Sequence, residues 1–338
     1  MSKKAIKIKH IAKELNISCA TVSQAFNHPR QVNRKTRQKI LELCQNIGYI
    51  HKKNKGQRHK NISILALNEY VPFTDFYARV SIGILQEAQK HGFNIIIEPF
   101  GNKNEEIPKS ISKSIIDGSI IMGPIPKENV LKLQQYGTPI VLCGHPIPEL
   151  ELNCVIPDGR SGMYQATKHL IALGHKKIAF ILGGPVFDPV SSDRLEGYRF
   201  AMYEEGLDIP TDYITKTDFS NHKNTPLAAE KLLNLSNPPT AIICSDDSIA
   251  FIVYNLLKSK NFKIPKDISL IGFDDARQND SIFQYLPPLT TVQVNIDEIG
   301  KTAFNVLLDI IENPNKAAIR YTLPVKLIVR NTTAKIKN

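Results

Sequence analysis

The sequence predicts an α/β chain in two parts: an N-terminal three-helix helix-turn-helix domain followed by a two-lobed body with parallel sheets. Three observations carry this expectation. The first is charge: residues 1–60 hold 15 Lys and Arg against two acids, Glu14 and Glu42, a net +13, whereas the whole chain is +11, so residues 61–338 sum to −2. An excess that local is an electrostatic footprint for phosphate confined to one small domain. The second is a set of three short helical patterns with a three-residue turn between the first two. The third is the alternation of short apolar runs with amphipathic stretches from residue 62 onward.

The head comes first in the chain. Ile8, Ile11, Ala12 and Leu15 recur at helical spacing and end at Asn16, a residue tolerant of the positive φ a tight turn needs. Ser18 is placed to N-cap a second helix from about Cys19 to Phe26, with Val22, Ala25 and Phe26 facing inward. Asn33 can cap a third helix through Ile40, Leu43, Cys44 and Ile47, with Gly48 at its end. This arrangement lays the second helix in a DNA major groove. Arg30, Arg34, Lys35 and Arg37 flank it and read as phosphate contacts, which set register rather than sequence.

The body follows a basic segment from His51 to Lys60. Its apolar runs are Ile62–Leu67, Asn94–Glu98, Ser119–Met122, Ile140–Leu142, Ile178–Leu182, Ala241–Cys244 and Ile268–Phe273, with helical patterns such as Phe76–Lys90 and Gly162–Leu173 between them. Repeated βα units of this kind make parallel sheets covered by helices on both faces. The runs fall into two sets, hence two lobes, divided near Asp158. Ligands of such sheets sit at the carboxyl ends of strands. Asn68, Asp158, Arg194, Asp246 and Asp274 fall there, and Phe76, Phe187 and Phe219 are candidate apolar walls, with burial in the core as the alternative.

Composition excludes other classes. No run approaches the roughly 18 apolar residues of a membrane span, and the N-terminus has basic residues without the apolar stretch of a secretory signal. The five cysteines, Cys19, Cys44, Cys143, Cys154 and Cys244, are scattered and never in a C-x-x-C pair, which argues for a reducing cytoplasm over a disulfide framework or zinc site. There is no H-E-x-x-H and no G-x-S-x-G. Gly300, Lys301 and Thr302 look like the end of a phosphate loop, but Asn295 stands where its first Gly is required. Asp247 and Asp275 read as caps or structural partners rather than metal ligands, and His169 and His175 beside Gly174 as parts of a helix end. No catalytic residue, cofactor or metal is expected.

These residues reach a family. Ile8 through Ser18, then Thr21-Val22-Ser23, Asn27, Val32, Thr36-Arg37 and Gly48-Tyr49, resemble the lactose-repressor/galactose-repressor family of bacterial regulators. The resemblance runs on through His169-Leu170, Gly174 to Ile178, Arg194 to Tyr198, Ser245-Asp246-Asp247, Gly272 to Asp275 and Pro287 to Thr291. It implies the type I periplasmic-binding-protein fold, with later crossovers near Thr291 and Leu323. The expected domains are then residues 1–50 (head), 51–61 (linker) and 62–335 (body), with lobes of 62–157 plus 292–322 and 158–291 plus 323–335.

The resemblance also assigns roles. Base reading falls on Cys19, Ala20 and Gln24, within a DNA-contacting set of Ser18, Thr21, Ser23, Asn27, Arg30, Arg34 and Arg37. Where the family most often has Arg, this chain has Gln24, which pairs bidentately with adenine rather than guanine. Arg194, Asp246 and Asp274 match effector-contacting positions, Asp246 in place of a frequent Asn, and Phe219 matches an aromatic one. Family members usually carry a hinge helix with an intercalating Leu after the Gly-Tyr pair, whereas residues 51–60 contain no apolar residue and offer no such wedge. The expected protein is a cytoplasmic regulator of a double-stranded DNA operator. It would act as a repressor whose affinity is changed by a small molecule, a sugar or related metabolite, bound between the lobes. It would be a homodimer, with a tetramer as the alternative, because two-fold dimers read palindromic half-sites. An activator, or a solute receptor with a DNA-binding appendage, is the rival reading.

Overall fold

The structure, a computed structural model, describes residues 8–27, 31–47, 49, 59–67, 75–102, 105–184, 188–217, 222–276 and 288–336. The chain divides into two compact units. One comprises Met1–Pro72, Ile84–Cys143 and Lys301–Ile319, the other Phe73–Gly83, Gly144–Gly300 and Arg320–Asn338.

The first unit opens with helices α1 (Ile8–Glu14), α2 (Cys19–Asn27) and α3 (Arg34–Ile47). Asn16 takes φ 52° at the turn between α1 and α2. Ile17 N–H donates back to the Ala12 carbonyl at 2.9 Å, closing the turn. The Ser18 hydroxyl accepts the Thr21 N–H at 2.9 Å, and the Asn33 side chain accepts the Lys35 N–H at 2.9 Å, so each of the next two helices starts on a side-chain cap. Ile11, Ala12, Val22, Ala25, Val32, Ile40 and Cys44 form a small buried core, with Phe26 and Tyr49 packed at its edge. Full burial of an aliphatic such as Ile11 or Ile40 contributes about 1.5–3 kcal/mol, which is what orients three short helices that would not persist alone.

The same unit continues with β1 (Asn61–Ala66), α4 (Asp75–Lys90), β2 (Asn94–Pro99), α5 (Lys109–Ser112), β3 (Gly118–Met122), α6 (Lys127–Gln134) and β4 (Ile140–Cys143), α4 beginning in the second unit. β1 pairs in parallel with β2 and β3, and β3 with β4. β1 and β3 are buried almost throughout and read as continuous apolar runs, the signature of strands covered on both faces. The Asp117 carboxylate accepts the N–H groups of His59 at 3.2 Å and Lys60 at 2.7 Å, pinning the end of the basic linker as it enters β1.

The second unit contains β5 (Asn153–Pro157), α7 (Gly159–Ala172), β6 (Ile178–Gly183), α8 (Pro189–Glu204), β7 (Ile214–Thr217), α9 (Thr225–Leu233), β8 (Ala241–Cys244), α10 (Asp247–Ser259), β9 (Ser269–Asp274) and β10 (Thr290–Val294). It also holds the start of α11 (Ile296–Glu312), then β11 (Arg320–Leu323) and β12 (Val325–Ile328). Its six-stranded sheet runs β12-β10-β9-β8-β6-β7, parallel except for the antiparallel β10–β12 pair, and β5 pairs in parallel with β11. The expected parallel α/β architecture is what the chain adopts. β5, β7, β10, β11 and β12 lie outside the expected apolar runs: β7, β11 and β12 are four-residue strands with partly exposed faces, β10 is half polar in sequence, and β5 has only three apolar residues before Pro157.

Three helices of this unit start on an aspartate. Asp158 accepts the Ser161 N–H at 2.9 Å, Asp188 the Ser191 N–H at 2.9 Å and Asp246 the Ile249 N–H at 2.8 Å. The end of α7 is closed by backbone alone, Gly174 at φ 92° and His175 N–H on the Leu170 carbonyl. The two imidazoles there hold the C-terminal segment instead. His175 bonds Thr240 at 2.9 Å and the Ala334 carbonyl at 3.0 Å, and His169 bonds Thr333 at 3.0 Å. Burial keeps both histidines below their ordinary pKa.

Candidate DNA-reading face and effector site

The amphipathic sequence of α2 decides what the head presents. Val22 and Ala25 are consumed by the core, which leaves Ser18, Cys19, Ala20 and Gln24 exposed, with Thr21 and Ser23 partly so. Asn27 closes α2, and Arg30 lies outside the described residues. Arg34 is exposed at the start of α3. Arg37 is half-buried: its Nε donates to the Ala25 carbonyl at 3.0 Å, tying α3 to α2, and its guanidinium lies 5.2 Å from the Tyr136 ring centroid. It therefore holds the recognition helix in place in addition to any contact with DNA.

In the second unit, Arg194 gathers the polar groups at the carboxyl ends of the strands. It projects from α8, stacks 4.1 Å over the Phe273 ring, donates from Nη1 to the Ser245 carbonyl at 2.6 Å and reaches Asp274 through Nη2 at 3.4 Å. Gly159 makes the space: a Cβ there would stand 3.1 Å from Arg194 Cγ. Asp246 caps α10 and lies 3.9 Å from His222 Nε2. Asp274 and Asp275 are consecutive residues at positive φ, 101° and 53°, a strained conformation for residues other than Gly. The strain turns the two carboxylates to different partners. Asp274 faces Arg194, while Asp275 takes a two-pronged bond from Arg330 (2.9 Å each) and one from Gln293 at 3.0 Å. Asp247 is buried, admitted by the bare Cα of Gly272, and accepts the Thr291 hydroxyl at 2.6 Å.

Burial pushes the Asp274 carboxyl up to about 7, against the pull of Arg194, with the Asp246 charge adding to the rise. Asp247 moves the same way, chiefly by burial. A carboxyl whose folded pKa is raised binds its proton more tightly in the native state. Its stabilising contribution is thus complete below the unfolded value near 3.8 and is lost as pH rises through about 7. At about 1.4 kcal/mol per pKa unit, the upper bound across that window is about 4 kcal/mol. The stability difference between Asp274→Asn and the parent, read from denaturant midpoints, is expected to shift in the variant's favour between pH 4 and 7.5. A constant difference across the range would remove Asp274 as the titrating group.

Arg194, Asp246 and Asp274 are brought together as a group, and Asp158 stands at the start of α7, whose Gly159 packs on Arg194. Phe76 is half-exposed in α4, edge-on to Tyr77 at 5.2 Å. Asn68, Phe187 and Phe219 lie outside the described residues. The structure adds residues that sequence reasoning passed over. His145, just after β4, pairs with Asp188, and both are largely buried. Burial raises the Asp188 carboxyl, but the His145 contact and the Ser191 bonds outweigh it and leave it below the usual range. Ser245 and His222 flank Asp246. The strand-end rule that selected Asn68 would have selected His145 as well.

A helix-turn-helix head joined to a parallel α/β body with a polar cluster at its strand ends defines a ligand-responsive DNA-binding regulator. Comparison with known proteins agrees. Residues 7–52 match the bacterial regulatory proteins of the lacI family, and residues 167–333 match a periplasmic binding protein-like domain. The chain is 30% identical to the HTH-type transcriptional repressor CytR of Escherichia coli (strain K12), over 97% of this chain and 96% of that one. It is 29% identical to the ribose operon repressor of Haemophilus influenzae, over 98% and 99%. A LacI family transcriptional regulator from Enterococcus faecium, solved with bound ribose, superposes with a TM-score of 0.69 at 27% identity, over 82% of this chain and 100% of that one. The chain belongs to the LacI family: it is a DNA-binding transcriptional regulator whose C-terminal domain is of the small-molecule-binding kind. No helix among the described residues is long and apolar enough to cross a membrane.

Proposed function

We propose that the chain is a cytoplasmic repressor that binds its operator as a homodimer and changes operator affinity when the second unit holds a polyhydroxylated metabolite, a pentose or pentose-bearing compound. The observation that carries the ligand class is the grouping of Arg194 with Asp246 and Asp274. Sugar hydroxyls donate to carboxylates and accept from a guanidinium, so alternating charges of this kind suit a polyol. Relatives named for ribose or solved with it support the same class. Asn68, Phe76, Asp158 and Phe219 complete the proposed effector set. Self-association is supported by the geometry of helix-turn-helix readers, whose two-fold dimers match palindromic half-sites. Binding is linked in both directions: an effector that alters DNA affinity has its own affinity altered by DNA to the same degree.

On the DNA side, Cys19, Ala20 and Gln24 read base edges, while Ser18, Thr21, Ser23, Asn27, Arg30, Arg34 and Arg37 set the register on the backbone. Replacing Gln24 by Arg, which forks onto guanine O6 and N7, is expected to move one position of each half-site from A toward G. The change should be worth about 1–3 kcal/mol of discrimination, visible when sites are selected from a random pool. Arg34→Ala should instead weaken all sequences alike. Unaltered preference in a folded Gln24→Arg protein that still binds DNA would remove Gln24 from the base-reading set.

A further inference from the structure

Seven buried side-chain atoms lack a hydrogen-bond partner among the described residues, and three of them, Arg194 Nε, Ser245 Oγ and His222 Nδ1, belong to residues around Asp246. Ser245 is 3% exposed and Arg194 9%. Unsatisfied buried polar atoms are uncommon in native proteins, and each calls for an explanation, a bound molecule being one. Ser245 Oγ and Asp246 Oδ2 both press on Gly183 at the end of β6, 2.6 and 3.1 Å from where a Cβ would stand. Asp246 Oδ1 is occupied by the Ile249 N–H. His222 Nε2 lies 3.9 Å from that same oxygen, too far for a hydrogen bond. His222 itself sits at φ 53°, so the chain holds a histidine in the left-handed region with its other nitrogen buried and unsatisfied.

We propose that His222, which stands beside Asp246, is a specificity-determining contact that reads one hydroxyl of the effector through Nδ1. The inference rests on the polyol reading above and adds to it the residue that discriminates one hydroxyl pattern from another. A site built to bond a hydroxyl rejects an analogue that lacks it, because the protein's own polar atom is then left without a partner. The Nδ1 of an imidazole can serve a hydroxyl as either donor or acceptor, according to tautomer.

The test uses the full chain and three probes, D-ribose, 2-deoxy-D-ribose and 3-deoxy-D-ribose, titrated by calorimetry into the parent, His222→Ala and His222→Gln. The parent is expected to prefer ribose to at least one deoxy analogue by tenfold or more. His222→Ala should bring that ratio to within about threefold of unity by weakening ribose more than the analogue. His222→Gln, which keeps a hydrogen-bonding head, should recover part of the ratio. Because the readout is a ratio within one protein, a general loss of stability does not imitate it. An unchanged ratio in His222→Ala would overturn the role of His222 and leave the polyol site standing. A parent that binds none of the three sugars would overturn the pentose reading and this inference with it.

Discussion

Deleting residues 1–60 is expected to lower operator affinity by at least about a thousandfold. The reason is the distribution of charge: the deleted segment carries +13 and what remains carries −2. Phosphate neutralisation releases condensed counterions, so each phosphate contact contributes about 0.9 to the slope of log affinity against log salt, and a site with six to ten contacts loses about 10³–10⁵ between 50 and 200 mM salt. The full chain should therefore show a steep salt dependence on any duplex, and residues 61–338 should show none that can be measured. The direct comparison is filter binding or anisotropy at several salt concentrations with both proteins. Equal affinity of the truncated body, or a flat salt response of the full chain, would take DNA recognition away from the head.

The second large effect is expected at Arg194. Arg194→Ala leaves the Asp274 carboxyl buried without its cation, uncovers the Phe273 ring and orphans the Ser245 carbonyl. Without the cation the Asp274 carboxyl is driven further toward its neutral form, and the lost stacking on Phe273 and the unpaired Ser245 carbonyl remain as costs, so a clear fall in melting temperature is anticipated. The stabilising shift given by a bound pentose, about 2.7 kcal/mol at a hundredfold excess over its dissociation constant, should vanish. Operator binding should persist, since the head builds its own core from residues 11–44 and shares none of this cluster. Arg194→Lys keeps the charge but not the flat fork, and is expected to retain most of the stability while losing the ligand response. If Arg194→Ala were stabilised by ligand as much as the parent, Arg194 would be a structural residue only.

Much of this protein is legible in its sequence because the signals are local. The turn at Asn16, the caps Ser18 and Asn33 and the inward stripe of Val22 and Ala25 are all decided within a few residues, and the structure carries each one. The apolar runs of β1, β3, β6, β8 and β9 are equally plain, since strands buried on both faces are built mainly of apolar residues, and the polar interruptions they do carry are paired inside, as Ser63 with Ser119 at 2.8 Å. β7, β11 and β12 are not plain, because a short half-exposed strand owes its conformation to the neighbour it pairs with.

The cluster in the second unit divides along the same line. Arg194, Asp246 and Asp274 could be singled out from motif position, but their partners could not. That Asp246 spends one oxygen on the Ile249 N–H, that Asp275 turns away to Arg330 and that Asp188 meets His145 follow from strand ends and helix starts converging from distant parts of the chain. The sequence alone determined that a basic reading head precedes a parallel α/β body and which residue types crowd its strand ends. Only the tertiary structure decided which of those polar atoms are satisfied within the protein and which, like His222 Nδ1 and Ser245 Oγ, have no partner among the described residues, because hydrogen-bond satisfaction depends on three-dimensional neighbours and not on spacing along the chain.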